Sequence, residues 1–244
     1  MKKIMMHNNK KNKDVLAIIP ARGGSKRIKN KNLIDFFGKP LIQYSITAAL
    51  EAGIFSKVFV STDSNKIIKI VNKNDLEVPF KRSKKNSSDS ATIKSVLLEV
   101  LNTFKKKGFS FKYCCCISPT ALFINKKYIL ESFNKIKKLN LDSVISVSKY
   151  QNNISRSLKT NKKDLIQWKY PKYRNKMSQN LNDFYFDTGQ FFWIDVEKFL
   201  NSEEIITNKS GYIILPNIVT QDINTYEDLR EAKFKYSYLL SNLK

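Results

Sequence analysis

Residues 15–32 read VLAIIPARGGSKRIKNKN. The first six, Val15 to Pro20, are a continuous apolar run of strand length. A run without polar alternation suits a strand buried on both faces, as in a parallel sheet flanked by helices. Residues 21–32 are polar and cationic and carry paired glycines, Gly23 and Gly24, in a chain with only seven glycines. Open α/β sheets bind ligands in such loops, outside the carboxyl ends of their strands. Paired glycines let backbone N–H groups approach anionic oxygens closely. Arg22, Lys26, Arg27 and Lys31 supply positive charge, and Ser25 a hydroxyl. The spacing is neither G-x-x-x-x-G-K-S/T nor G-x-G-x-x-G. By its chemistry the loop reads as a polyphosphate site; a basic surface turn is the plainer alternative.

Outward from this loop the pattern alternates. Past Gly38-Lys39-Pro40, Leu41 to Ala52 has helical spacing with Gly53 as its stop signal. Lys57 to Ser61 reads as a second strand, Ser64 to Asn72 as a second helix, and Val78 to Lys81 as a short extended piece leading to Arg82. Ala91 to Lys107 is a third helix, Tyr113 to Ile117 a third strand, Asn125 to Lys138 a fourth helix and Ser143 to Val147 a fourth strand. This order predicts an α/β fold, a Rossmann-like doubly wound and mostly parallel sheet with helices on both faces. From Tyr150 to Asp183 the chain is polar, aromatic-rich and poorly periodic, which fits an arm, a lid or an interface hairpin. Regular structure resumes at Phe184 to Ile194, followed by a short strand at Ile213 to Leu215 and a last helix over Thr225 to Leu240.

Composition narrows the function. At 244 residues the chain accommodates one large domain; the reading is a flexible extension over 1–14 and a single domain over 15–244. The net charge of +23 points first to nucleic acid. Only six of the 44 basic residues are Arg, however, and the lysines spread from end to end. Clustered Arg interleaved with aromatics is the commoner mark of a nucleic-acid surface, so a Lys-rich solvated surface is the better reading and no nucleic-acid partner is expected. The one histidine, His7, stands in the N-terminal stretch, which argues against His-based acid–base chemistry in the folded body. Cys114, Cys115 and Cys116 are consecutive, so their side chains alternate between the faces of a strand and cannot converge on one metal. They read as small buried residues in a reducing cytoplasm. No apolar run reaches the roughly 20 residues of a membrane span, and the start lacks a signal-peptide apolar region.

The run I-I-P-A-R-G-G-S-K-R-I-K-N-K-N, with G-K-P-L-I after it, resembles the sugar-acid (nonulosonate) cytidylyltransferases, which include the CMP-sialic acid synthetases. Val60–Asp63 (V-S-T-D) looks like that family's second strand end, and Arg82 with Asp89 like its R-P-x-x-L-x-x-D element. Ser118-Pro119-Thr120 lies where the family has a turn. Asp222-Ile223-Asn224 with Glu227-Asp228-Leu229 looks like D-I-D-x-x-E-D-L. Together these motifs span about residues 15 to 235. The segment Asp187-Thr188-Gly189-Gln190-Phe191-Phe192-Trp193 is similar to the D-x-G-Q-F-x-W form of the pseudaminic acid branch, and Ser178-Gln179-Asn180-Leu181 is close to its S-Q-D-L. The sialic and legionaminic branches are the alternatives.

The resemblance implies a nucleotide-diphospho-sugar transferase fold and transfer of CMP from CTP to a nine-carbon sugar acid with release of pyrophosphate. It implies that Arg22, Ser25, Lys26 and Lys31 hold the triphosphate, assisted by the backbone of Ala21, Gly23 and Gly24. Arg82 and Asp89 belong to the nucleotide pocket. Arg22, Lys31 and Asp222 carry the catalytic assignment. Mg²⁺ is the expected cofactor, on Asp222 and Asn224; Asn224 departs from the family's second acidic residue. As an alternative, Asp222 is a turn residue favoured by the following helix dipole. Gln179, Tyr185, Asp187 and Gln190 are the sugar candidates, although Tyr185 and Phe191 also fit a plain core strand. The 150–183 segment resembles the family's dimerisation arm, so a homodimer is expected, with Trp168 either at its interface or packed within the subunit.

Overall fold

Val15–Pro20 forms β1, every residue but Pro20 buried. The computed structural model describes residues 14–242, so the expected N-terminal extension lies, apart from Asp14, outside the described residues. Side chains of β1 divide between two cores: Val15, Ala17 and Ile19 enter one, Leu16 and Ile18 the other. That double burial is why the run shows no polar alternation.

A two-residue hairpin, β2 (Asp35–Phe36) and β3 (Lys39–Pro40), leads into α1 (Leu41–Ala52), which ends at Gly53 with φ +66°. Then come β4 (Lys57–Ser61), α2 (Asn65–Asn72), α3 (Ile93–Lys106), β5 (Tyr113–Ile117), α4 (Lys126–Lys138) and β6 (Ser143–Lys149). Side-chain caps fix two starts: Thr92 accepts from Ser95 N–H and Asn125 from the Lys127 and Tyr128 amides. The expected extended piece at Val78 to Lys81 forms no strand; it bends through Pro79 and is tied back by Arg82 N–H to Thr62 C=O at 2.9 Å. A small hairpin, β7 (Leu158–Thr160) with β8 (Ile166–Trp168), occupies the middle of the arm. The chain closes with β9 (Tyr185–Asp195), α5 (Val196–Ser202), β10 (Ser210–Ile214) and α6 (Tyr226–Ser241). The short helix α5 has no counterpart in the sequence reading; Asp195 caps it through Lys198 N–H.

The main sheet has the order β10-β6-β9-β5-β1-β4. β9 is antiparallel to both β5 and β6, and the other pairings are parallel. Helices α1, α2 and α4 cover one face, and α3 and α5 the other. Trp193, fully buried, anchors the first core: its ring lies 4.8 Å from Phe133 and 5.6 Å from Phe55, and its Nε1–H donates to Ser132 Oγ at 3.0 Å. The three cysteines obey the alternation, Cys114 and Cys116 in one core and Cys115 in the other, all unpaired and buried. Burial pushes their thiols up, that of Cys116 to about 12.

The strand after β1 on one side is β4 and on the other β5, so the order reverses at β1. That reversal opens a crevice at the carboxyl ends of these strands. Because β9 runs the opposite way, its amino end reaches the same edge of the sheet. Among the described residues, no helix is long and apolar enough to cross a membrane.

Candidate active site

The loop after β1 sits in the crevice, held by neighbouring strand ends. Ala21 is fully buried and its N–H donates to Ser61 C=O at 2.9 Å. Its amide is thereby committed to the fold, which corrects the expectation that it serves an anion. Gly23 N–H donates to Asp63 Oδ1 at 2.7 Å. A Cβ on Gly23 would come within 2.9 Å of Ser64 Cβ, so glycine here is required by packing against the β4 end. Gly24 has nothing within 4 Å of where a Cβ would stand, and among the described residues its N–H has no protein acceptor.

Two cations of the loop, Arg22 and Lys26, share a carboxylate partner. Asp89 accepts from Arg22 Nη1 at 2.7 Å and also pairs with Lys26. Lys26 and Arg22 together hold the Asp89 carboxyl below the usual range. The two sequence elements, 67 residues apart, therefore meet. Arg82 lies beneath, buried, donating to Ser61 Oγ at 3.0 Å and Ser61 C=O at 2.6 Å. Burial lowers its guanidinium to about 10, opposed by Asp63 and Glu99. Ser25 is half-buried in the loop.

Lys31 joins this loop to the far end of the chain. Its ammonium donates to Ile223 C=O at 2.5 Å, between Asp222 and Asn224. Burial pulls its pKa down, and the Asp222 carboxylate opposes that. Asn32, not foreseen, fixes the same corner: its Nδ2 donates to Arg22 C=O at 3.1 Å, while its buried Oδ1 has no partner among the described residues. So the glycine loop, the Asp89 segment and the Asp222 turn form one constellation.

A cytidylyltransferase family model matches residues 16–238. The chain belongs to the cytidylyltransferase family. It is 34% identical over 221 residues to the pseudaminic acid cytidylyltransferase of Campylobacter jejuni, covering 91% of this chain and 95% of that one. Identity to the CMP-N,N'-diacetyllegionaminic acid synthase of Legionella pneumophila is also 34%, but over 134 residues, 55% of this chain and 57% of that one. In fold it is similar to a CMP:2-keto-3-deoxy-manno-octonic acid synthetase solved with CTP, with a TM-score of 0.68 and 14% identity over 92% of this chain and 99% of that one.

Beside the Asp222 turn, this cytidylyltransferase-family chain has a cleft of about 430 Å³ lined by Asp187, Gly189, Thr220, Gln221, Asp222 and Asn224, among others. The β9 side of it is a bulge. Ile145 pairs with Phe192 but Val147 with Asp187, so β9 advances five residues against two of β6. Ser146 Oγ donates to Phe191 C=O at 2.6 Å and lies 2.7 Å from Thr188 Oγ1, pinning the excess chain. Gly189 takes φ +63° at its tip, a conformation that costs a residue with a Cβ. Bulges of this kind re-aim side chains beside functional sites, and here Asp187 reaches the cleft while its Oδ1 accepts from Gly189 N–H at 2.8 Å.

The other sugar candidates separate. Gln190 is buried; its Nε2 donates to Val219 C=O at 2.8 Å, and its Oε1 has no partner among the described residues. It is not among the residues that line the cleft. Tyr185 does not line this cleft; its ring faces Tyr212 at 5.9 Å and is 39% exposed, so the core alternative for it fails as well. Phe191 is core. Gln179 lies in the arm, exposed, its Nε2 donating to Met177 Sδ at 3.6 Å.

The donors at the turn suit a hard cation. Asp222 offers a carboxylate, and Asn224 an amide that here donates its Nδ2–H to Asp222 Oδ2 at 2.5 Å. For both residues to ligate one ion, that amide must present its oxygen instead. Asp228 is occupied otherwise. Burial pushes its carboxyl up, but the N–H groups of Asn224 and Thr225 outweigh this and hold it below the usual range. Those bonds are 2.8 and 2.7 Å long; the one from Thr225, with Asp228 N–H donating back to Thr225 Oγ1 at 3.2 Å, forms the capping box of α6. One carboxylate supplemented by phosphate oxygens and water is a normal Mg²⁺ environment, so Asp222 fits the ion.

Proposed function

We propose that this chain is a CTP-dependent cytidylyltransferase that activates a nine-carbon sugar acid, pseudaminic acid, to its CMP-sugar. The observation that carries the reading is the meeting of the Arg22–Lys31 loop with the Asp222 turn through Lys31, in a chain similar along nearly its whole length to a pseudaminic acid enzyme.

In this reading the anomeric hydroxyl oxygen attacks the α-phosphorus of CTP, and pyrophosphate leaves in line. Arg22, Ser25, Lys26 and Lys31 hold the triphosphate with the Gly24 amide, so catalysis is positioning and charge neutralisation. Arg82 and Asp89 flank the nucleotide. Mg²⁺ on Asp222, with Asn224 beside it, supplies Lewis-acid polarisation of the phosphate oxygens when bound. Asp187 faces the acceptor, and Gln190 serves the sugar side by holding the Val219 carbonyl. The exposed Leu158, Leu165, Ile166 and Met177 of the arm favour a homodimer joined there. The three reduced thiols fit a cytoplasmic setting.

The test is incubation with CTP, Mg²⁺ and each of pseudaminic, legionaminic and sialic acid, following pyrophosphate. The expected result is release with pseudaminic acid at least tenfold above the others. Release with none of the three refutes the reading.

A further inference from the structure

The cleft beside Asp222 poses a charge problem. An acceptor that is a sugar acid brings a carboxylate, and the cleft is lined by three carboxylates, Asp187, Asp222 and Asp228, and by no cation. Lys31, behind the turn, donates to Ile223 C=O and belongs to the phosphate end. A second cavity of about 340 Å³ adjoins this cleft, sharing Phe186 and Thr220 with it, and its lining includes two cations, Lys149 and Lys235.

The two lysines differ. Lys149 is in an ion pair with Asp183 at 2.7 Å, so its charge is matched. The Lys235 ammonium donates to Thr220 C=O at 2.8 Å and Gln221 Oε1 at 2.7 Å, both neutral oxygens. Among the described residues no carboxylate lies within ion-pair distance of it; Glu231, one turn back on α6, acts only at longer range. An ammonium has three donors, so one remains for a ligand. Desolvation lowers the Lys235 pKa, as expected of a half-buried charge without a counter-ion.

Resting on the sugar-acid reading above, we infer that Lys235 is the residue that binds the acceptor's carboxylate, at the junction of the two cavities. The position suits the chemistry. In a 2-keto sugar acid the carboxylate is bonded to the anomeric carbon, whose hydroxyl is the nucleophile. Thr220, which takes the Lys235 ammonium, is two residues from Asp222, at most about 7 Å of chain. A carboxylate held there turns the neighbouring hydroxyl toward the Asp222 end of the cleft and leaves the rest of the sugar to the second cavity. Tyr150 and Phe186, rings 5.1 Å apart, form an apolar wall of that cavity. A charged acceptor is thus oriented through its most polar group.

The experiment compares the sugar acid with its methyl ester, in the wild-type protein and in Lys235→Gln and Lys235→Arg, by kcat/KM for pyrophosphate release at saturating CTP. The wild-type protein is expected to prefer the acid by roughly ten- to a hundredfold, the size of a charge-assisted hydrogen bond. Lys235→Gln brings that preference close to one, and Lys235→Arg keeps most of it. Equal turnover of acid and ester by the wild type overturns the inference without any variant. So does a Lys235→Gln protein that loses the same factor on both substrates, because a lysine that merely pins the Thr220 turn is blind to esterification. A wild-type protein that turns over no sugar acid refutes the functional reading itself, and the inference with it, before the variants are made.

Discussion

Gly23 and Gly24 are adjacent and identical, yet the structure gives them different work, and alanine separates the two. At Gly23 the new Cβ stands 2.9 Å from Ser64 Cβ and 3.4 Å from Ser64 Oγ. Neither neighbour is the end of a long flexible chain, so the loop must move off the β4 end. Overpacking of this kind costs about 1–3 kcal/mol, less the roughly 0.4–1 kcal/mol that Gly→Ala gains by restricting the unfolded chain. A net loss near 1–2 kcal/mol lowers Tm by about 2–8 °C for a chain of this size. At Gly24 nothing stands within 4 Å and φ is not in the left-handed region, so only the gain remains. Gly24→Ala should melt about 1–4 °C higher than wild type. Its effect belongs to the ligand: if Gly24 exists to let its amide reach a phosphate oxygen, a methyl group there removes a charge-assisted hydrogen bond, about ten- to a hundredfold in CTP affinity. Thermal melts and calorimetric CTP titrations of both variants decide it. A Gly24→Ala protein that binds CTP as well as wild type refutes the assignment of this amide to the triphosphate. A Gly23→Ala protein that melts like wild type refutes the packing argument.

Three further outcomes are expected. Asp89→Asn releases Arg22 and Lys26 and should tighten CTP binding a few-fold when measured in a chelator, the scale of an exposed ion-pair competition; weaker binding would show that Asp89 assists the nucleotide instead. Because the Asp89 carboxyl is held low in the folded state, its contribution to stability is present above the ordinary carboxylate range and lost as pH falls through its lowered value. The melting difference between Asp89→Asn and wild type should therefore close on acidification, and a difference constant from pH 7 to pH 3 would contradict the pairing. Asn224→Asp adds a second anionic oxygen beside Asp222 and should lower the Mg²⁺ concentration for half-maximal turnover severalfold; an unchanged Mg²⁺ dependence would mean that Asn224 is no ligand.

The parts of this fold legible in sequence are those where a short-range pattern has one physical outcome. Val15–Pro20 and Tyr113–Ile117 are apolar throughout because both their faces are covered. Gly53 and Gly108 end helices with φ +66° and +81° because no other residue adopts that conformation as cheaply. What escaped was set by tertiary partners. Whether β9 runs parallel or antiparallel leaves no trace in its side chains, and its bulge depends on Ser146, some 40 residues earlier, bonding Thr188 and Phe191. Tyr185 and Asp187 share a strand face by period, but only Asp187, which adjoins the bulge, lines the cleft. The seven-residue α5 is too short for a helical period to declare itself. The Asp89 ion pairs and the buried Asn32 carbonyl depend on loops meeting, and Lys235 is one lysine among very many until its cavity is seen.

Net charge misled at first because the glycine-loop end of the site matches several of its own cations with carboxylates. Asp63 takes the Gly23 amide and opposes the desolvation of Arg82, Asp89 takes Arg22 and Lys26, and Asp222 opposes the desolvation of Lys31. Burying Lys31 or Arg82 without such partners would be costly, so the carboxylates are part of what lets these cations be buried. The excess of +23 is therefore carried elsewhere, by solvated lysines. Matching also fixes how the cleft must respond to a polyphosphate. Phosphate oxygens that take the Arg22 and Lys26 donors now bonded to Asp89 release that carboxylate, which is then an anion beside an anion. A divalent cation removes that repulsion, so nucleotide and metal stabilise each other's binding by the same factor, as linkage requires. Lys235 stands outside this balance: it faces neutral oxygens, and it offers the acidic partner in the reaction a charge that no carboxylate claims.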